Sequence, residues 1–380
     1  MEPVDKATEA IEPPKASTSS SSLEIDADIL ASLLRQGLRI LEAQDEERAK
    51  EAASEKEKEG KSHEEAPSEP QLEPPSEPPC EPTEPPKILP SCDLEGVAAR
   101  IKEGRVKKIV VMCGAGISVS AGIPDFRSPG TGLYSQLAKY KLGRPEDIFT
   151  LSFFRNNPMP FHTLAKELFP GSFKPTPTHH FIKLLHQKKL LTRCYTQNID
   201  SLESQAGLPP DLIIAAHGNF DSCHCLDCEK DFSTEYFKKA VMGKDTPEIC
   251  RCSECDGLVK PDIVFFGEGL PERFFSLQRQ DLMRMNCDLL LVMGTSLVVY
   301  PFAGLCDVVD EMTPRLLINR ELAGDFEDTI PDPDNHRDAA YLGDCDAGVH
   351  KLADLLGWKE DLVRLIAASN KDHNDTSSTV

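Results

Sequence analysis

Long apolar runs are missing from this chain. No stretch of about 18 consecutive apolar residues occurs in its 380 residues, which excludes a membrane-spanning helix. Also missing are an Arg-rich amphipathic start and a positive-then-apolar leader, because the N-terminus carries acid instead; no targeting segment of either kind is expected. Basic charge is scarce: 42 Lys and Arg face 63 Asp and Glu, a net of −21, and no direct nucleic-acid binding is expected of such a chain. An even cysteine count is lacking too, for there are 13. Without a secretory signal this points to free or metal-bound thiols rather than disulfides. These absences together predict a soluble, intracellular protein with no membrane partner.

What is present is unevenly distributed. Residues 1–90 hold 22 acidic residues against 10 basic ones, a net of −12, and 13 of the 30 prolines. Within them, 51–90 offer too few apolar groups to offset the entropy of ordering, and the Glu-Pro-Pro repeats favour extended polyproline backbone. The segment reads as a disordered spacer, with a "P-x-x-P" docking ligand as the alternative. Upstream, Ile29, Leu30, Leu33, Leu34, Leu38 and Leu41 recur at helical spacing, with Asp26 or Asp28 placed to cap, which predicts a leucine-rich helix near 26–50. Packing or self-association is the plainer use of that helix; nuclear export through Leu30, Leu34, Leu38 and Ile40 is the other. Residues 369–380, ending "SSTV", read as a disordered tail in preference to a PDZ ligand.

From residue 92 onward the texture changes. Short apolar runs at 106–112, 191–196, 212–216, 263–266, 289–293 and 315–318 alternate with amphipathic segments such as "THHFIKLLHQKK". There Thr178 is placed to cap a helix with Phe181, Leu184 and Leu185 on one face. The alternation predicts an α/β fold, a Rossmann-like parallel sheet with helices on both faces, and ligands bound outside the C-terminal strand ends. The runs are followed by "CGAGISVSAGIPDFR", "TQNID", "HGN", "FFGE", "GTS" and "NRE". Six polar tails would then converge on one crevice.

Three of these regions carry chemistry. Gly114 and Gly116 permit a tight turn and close approach to a ligand, and a following helix would offer N–H groups to a pyrophosphate, although Val119 stands where a dinucleotide fingerprint has its third glycine. On the residues alone, a structural turn is as good a reading as a nucleotide site. Cys225 with Cys228, and Cys252 with Cys255, form two C-x-x-C pairs separated by 23 residues. That pattern builds a closed tetrahedral thiolate site for a structural zinc, with Cys223, His224 and Cys250 as bystanders; a redox pair is the alternative. His217, at the end of a predicted strand and carrying a side chain that titrates near neutrality, is a general-base candidate, with a satisfied structural histidine as the other reading.

Taken in order, "GAGISVSAGIPDFR", "TQNID", "HGN", the paired C-x-x-C motifs, "KPDIVFFGE", "GTSL" and "LLINRE" resemble the sirtuin family over about residues 92–368. "VKPDIVFFGE" and "LLVMGTSL" are most similar to its branch of human sirtuin-two and related yeast cytosolic members. The resemblance implies an NAD-dependent protein lysine deacetylase. In that reaction the acyl-lysine carbonyl oxygen attacks C1′ of the nicotinamide ribose, nicotinamide leaves, and the alkylimidate collapses to free lysine and O-acyl-ADP-ribose.

The resemblance also assigns residues. His217 is implied as the base for the ribose hydroxyl, with Asn198 and Asp200 orienting the nicotinamide ribose and carboxamide beside Gln197 and Ile199. Asp125 and Arg127 would contact NAD, Phe126 would cover C1′, and Ala115, Gly116, Ile117, Ser118 and Val119 would line the phosphate and ribose side. Thr295 and Ser296 would serve phosphate, Asn319, Arg320 and Glu321 the adenosine ribose, and Cys345 the adenine. An acetylated protein, histone or non-histone and tubulin-like, would add a strand along Val264, Phe265, Gly267 and Glu268. A catalytic domain at 91–368 would contain a zinc-ribbon module at about 221–257 and a helical cofactor-binding lobe. The implied location is cytoplasmic with shuttling to the nucleus. Protein ADP-ribosyl transfer, or a non-catalytic scaffold acting through its tails, are the other readings.

Overall fold

The computed structural model describes residues 87–125, 130, 132–137, 142–169, 173–243, 247–283 and 285–377, with Gln136 and 371–377 described by backbone alone. The leucine-rich segment near 26–50, the Pro-rich spacer as far as residue 86, Phe126, Arg127 and residues 378–380 lie outside the described residues. The last four residues of that spacer are ordered, with Ile88 and Leu89 buried and Leu89 in the core under the sheet, because these are its apolar residues, so the domain starts before 91. Nine strands are present among the described residues: β1 (Ile109–Cys113), β2 (Leu191–Thr196), β3 (Ile213–Ala215), β4 (Gly218–Cys225), β5 (Asp231–Ser233), β6 (Val259–Ile263), β7 (Leu289–Met293), β8 (Arg315–Asn319) and β9 (Asp338–Leu342).

Six of them form one parallel sheet in the order β3-β2-β1-β7-β8-β9. β1 and β7 are buried at every position, which is why they read as continuous apolar runs rather than alternating ones. One face of the sheet packs on Val97, Phe181, Leu184, Val349 and Leu352 of the helices Leu94–Lys102, Pro177–Gln187 and Cys345–Leu356. The other face packs on Phe274, Phe302 and Leu305. The chain leaves β1 toward β2 and β3 on one side and leaves β7 toward β8 and β9 on the other, so the strand order reverses between β1 and β7. That switch point is where a crevice opens at the C-terminal strand ends.

The remaining three strands form a small antiparallel sheet, β5-β4-β6. Its apolar side and the helices Leu151–Asn156 and Met159–Leu168 share one aromatic core of Phe149, Phe154, Phe161, Phe237 and Phe265. Edge-on ring contacts of 4.9 Å (Phe161–Phe265) and 5.5 Å (Phe154–Phe265) hold it. The expected helical lobe and zinc module therefore share a single core.

The structure corrects several expectations. The 263–266 run is not a strand of the parallel sheet: β6 ends at Ile263 and pairs with β4, and Phe266 makes a lone bridge to Thr150. The C-x-x-C pairs bracket β4 and β6, with Cys225 opposite Val259, and this local tie draws the segment away from the large sheet. β9 was missed because "DAAYL" pairs an aspartate with two small alanines and offers no run of large aliphatic residues. Two three-residue 3-10 turns, Ala115–Ile117 and Val119–Ala121, follow β1 where a helix was expected. Thr176, not Thr178, caps the helix Pro177–Gln187, while Thr178 donates its hydroxyl to Asp346 at 2.6 Å. The helix Lys359–Ser377 continues through most of the expected C-terminal tail. Among the described residues no helix is long and apolar enough to cross a membrane.

Candidate functional site

A cavity of about 600 Å³ opens at the switch point. The tails of β1, β2, β7, β8 and β9 reach it, together with His217 just beyond β3. It is lined by the expected Ala115, Gly116, Val119, Asp125, Gln197, Asn198, His217, Thr295, Ser296, Asn319, Arg320, Glu321 and Cys345. Ser120, Gly294, Val299, Asp344, Asp346 and Ala347 line it as well and were missed. The two aspartates flank Cys345 in "GDCD", a signal the unrecognised β9 would have supplied.

Glycine here answers to chain packing. A Cβ on Gly116 would lie 2.6 Å from Gly294 Cα, and one on Gly294, where φ is +60°, 2.5 Å from Ile117 N. The Gly116 N–H donates to Gly294 O at 2.8 Å. The glycines thus let the β1 and β7 tails touch, which sets the floor of the cavity. Above that floor Thr295 donates to the Gln197 side-chain oxygen at 2.7 Å. Asn319 Nδ2 donates to Thr295 O at 3.2 Å and Glu321 O at 2.9 Å. Ser120 and Thr178 both donate to Asp346, and Arg320 to Asp344 at 2.9 Å. Cys345 is buried, its thiol pushed up to about 12 by desolvation.

Ile117, Ser118, Ile199 and Asp200 do not line the cavity. Ile117 belongs to the main core and Ile199 packs against the aromatic one. Ser118 and Asp200 lie behind the wall: Ser118 donates to Asp200 at 2.6 Å, and Asn198 Nδ2 donates to Ser118 at 3.3 Å. Leu202 N–H donates to the other Asp200 oxygen at 2.9 Å. Burial holds Asp200 above the usual carboxylate range despite those donors. Burial and the Asp200 charge push Glu203 up to about 7, and burial pushes His179 down to about 3. These three residues bring a ring nitrogen and two carboxylate oxygens within 4.8 Å of one another. Sequence reasoning missed His179 and Glu203, because nothing in their spacing shows that they meet.

His217 is half-buried, with Nδ1 3.0 Å from Gln197 O. A carbonyl only accepts, so Nδ1 carries the proton and the basic lone pair sits on Nε2. Gly218 follows at φ +67°, and a Cβ there would lie 1.8 Å from Asp262 O; this glycine lets β4 cross β6 beside the histidine. The His217 carbonyl accepts Val264 N–H at 2.8 Å, tying the imidazole's own residue to the expected substrate strand. Along that segment Phe265 is 1% exposed in the aromatic core and Phe266 is exposed. The Phe265 N–H donates to Glu268 and its carbonyl accepts the Glu268 N–H, so Phe265 shapes the turn and does not itself face a peptide.

Cys225, Cys228, Cys252 and Cys255 bring their four sulfurs within 4.8 Å of one another. Cys225 and Cys255 Sγ are 3.5 Å apart, and Cys228 and Cys252 Sγ 3.8 Å. Each pair ends in a left-handed residue, Glu229 and Asp256, and backbone N–H groups of Asp227 and Glu254 point at the sulfurs of Cys225 and Cys252. N–H donors from Glu254 and Cys255 draw the Cys252 thiol down to about 7. Four convergent thiols with N–H···S support fit zinc. Cys223 and Cys250 are buried outside the set, and His224 pairs with Asp262 at 2.5 Å, as expected of bystanders.

Comparison with known proteins follows the same lines. The Sir2 family model matches residues 114–301. "NAD-dependent protein deacetylase hst2" of Schizosaccharomyces pombe is 52% identical over 276 residues, 73% of this chain and 80% of that protein. "NAD-dependent protein deacetylase sirtuin-2" of Danio rerio is 48% identical, covering 77% of this chain and 80% of its own length. "NAD-dependent protein deacetylase sirtuin-3" of Mus musculus is 50% identical, covering 72% and 79%. With the reversed strand order, the strand-tail cavity and the four-cysteine cluster in place, the chain belongs to the Sir2 family.

Proposed function

We propose that the protein is an NAD-dependent protein lysine deacetylase acting on acetylated proteins, with His217 as its general base. The observation that carries the reading is the meeting of Ala115 and Gly116, "QN", His217, "GTS" and "NRE" around one cavity; the named relatives are NAD-dependent protein deacetylases. Bound NAD supplies an electrophilic ribose carbon and nicotinamide as the leaving group. The chain's residues do the rest. The Gln197 carbonyl fixes the tautomer of His217, so Nε2 accepts the proton of a ribose hydroxyl. Asn198 is held by its backbone N–H to Thr196 at 3.0 Å and its amide to Ser118, which presents it to the nicotinamide half, with Asp200 acting through Ser118. Asp125, Glu321, Asp344 and Asp346 line the cavity with Arg320. Acceptors suit sugar hydroxyls and repel a 2′-phosphate, favouring NAD over NADP.

Phe126 and Arg127 are assigned by their motif to cover the reacting carbon and to contact NAD; Ile117, Ser118 and Ile199, expected at the cofactor, instead support its loops from behind the cavity lining. Cys225, Cys228, Cys252 and Cys255 would hold a structural zinc, which would tie the ends of β4 and β6 together. The acetylated protein is assigned to the edge at 264–268. Histone or non-histone, tubulin-like substrates and a cytoplasmic location with shuttling to the nucleus follow from the resemblance to the sirtuin-two branch.

Mass spectrometry of an acetyl-lysine peptide incubated with and without NAD tests the reading. Deacetylation should require NAD, release O-acetyl-ADP-ribose, and fall by on the order of 10²–10⁴ in His217→Ala. A peptide that stays acetylated while protein becomes ADP-ribosylated would shift the assignment to transfer onto protein.

A further inference from the structure

We propose that Lys260 is a positioning residue for the substrate: its buried ammonium closes the turn at 265–268, so that the segment 264–268 presents one rigid edge to the acetylated peptide. The inference rests on the reading that this edge carries the peptide.

Lys260 lies in β6 and is 1% exposed. A buried ammonium is costly unless its three donors are used. Here they are directed to Ile263 O at 2.7 Å, Pro261 O at 3.1 Å and Glu268 Oε2 at 3.0 Å, with the Phe265 ring face 4.6 Å away. All four partners belong to residues 261–268. Glu268 Oε2 also accepts the Phe265 N–H at 2.7 Å, and the Glu268 N–H returns to Phe265 O at 2.9 Å. Gly267 completes the turn at φ +99°. The same segment is tied to the base residue by Val264 N–H on the His217 carbonyl, and to the aromatic lobe by Phe266 N–H on Phe149 O at 2.7 Å.

This arrangement separates substrate placement from cofactor binding. None of these four partners lines the NAD cavity, so a change at Lys260 acts first on the peptide edge. Glu268 keeps 20% of its side chain exposed. It can turn to water when the ammonium is removed, so the loss falls on the geometry of the turn rather than on a stranded buried charge.

Steady-state kinetics of the full chain, with an acetyl-lysine peptide and NAD, read this directly. In Lys260→Met the KM for peptide should rise about tenfold, with the KM for NAD within about twofold and kcat little changed. Lys260→Arg, which keeps a charged donor, should recover most of the loss. Glu268→Gln should raise the peptide KM about threefold and add little in the Lys260→Met background, as expected of one shared interaction. A folded, zinc-loaded Lys260→Met enzyme with the parent's peptide KM, or with an equal rise in the KM for NAD, overturns the proposal. Should Lys260→Met not fold, an unchanged peptide KM in Glu268→Gln overturns it instead. Fluorescence polarisation of a labelled acetyl-lysine peptide reports the same loss even from a parent that releases no acetyl group. Failure of the deacetylase reading is thereby kept distinct from failure of this one.

Discussion

Glu203 is enclosed behind the cavity wall at 2% exposure, beside Asp200 and the Cys113 thiol. Folding raises its pKa from 4.5 to about 7. Between those values the folded chain keeps a proton that the unfolded chain has released, so this residue's contribution to stability is present at low pH and is lost as pH rises to about 7. His179, lowered from 6.5 to about 3, acts in the opposite sense: its contribution is present above 6.5 and lost as pH falls toward 3. Glu203→Gln removes the first effect alone. Urea unfolding of zinc-loaded parent and variant should show the variant gaining on the parent by on the order of 2 kcal/mol between pH 5 and pH 8. A difference that does not move with pH would mean that Glu203 keeps ordinary acidity. At this scale His217 was legible, because it follows a strand end, whereas the group at Asp200 was not: Glu203 is its near neighbour in the chain, but His179 reaches it only through tertiary contact.

The elements differ in what holds them. The parallel sheet is sustained by buried apolar strands such as β1 and β7, but β4 and β5 of the small sheet are largely unburied, and β4 and β6 meet at the cysteines. Zinc binding is therefore expected to supply folding energy to the small sheet and the core it shares, not to the parallel sheet. Stripping the metal with a chelator, or Cys252→Ser, should abolish amide-exchange protection in 218–263 and weaken it in 151–168, which shares the aromatic core. Protection in β1, β7 and β8 should persist, and deacetylation should fall with the small sheet. Equal loss in both sheets would contradict this division. The sequence marked β2 and β7 to the residue; for β7 the reason is plain, since Leu289–Met293 is an unbroken apolar run between Asp288 and Gly294. It misplaced the 263–266 run because an apolar run does not say which neighbour it will pair with.

For the molecule as a whole, ligand linkage is the most direct check. NAD at about 100 times its Kd should stabilise the chain by about 2.7 kcal/mol and raise Tm by roughly 4 °C. NADP at the same concentration should raise it far less, because Asp125, Glu321, Asp344 and Asp346 face the cavity. Equal shifts in a thermal-melt assay would place the acidic side chains away from the adenosine ribose. The sequence by itself determined the fold class, the zinc ligands and most of the cavity lining, because strand periodicity, C-x-x-C spacing and strand-tail position are local properties of the chain. Only the tertiary structure decided that Gly116 is a glycine because Gly294 touches it, that Thr178 serves Asp346 rather than a helix start, and that Lys260 closes the turn at Glu268. Each of these depends on which donors and which space remain once the chain has packed, and spacing along the sequence does not carry that information.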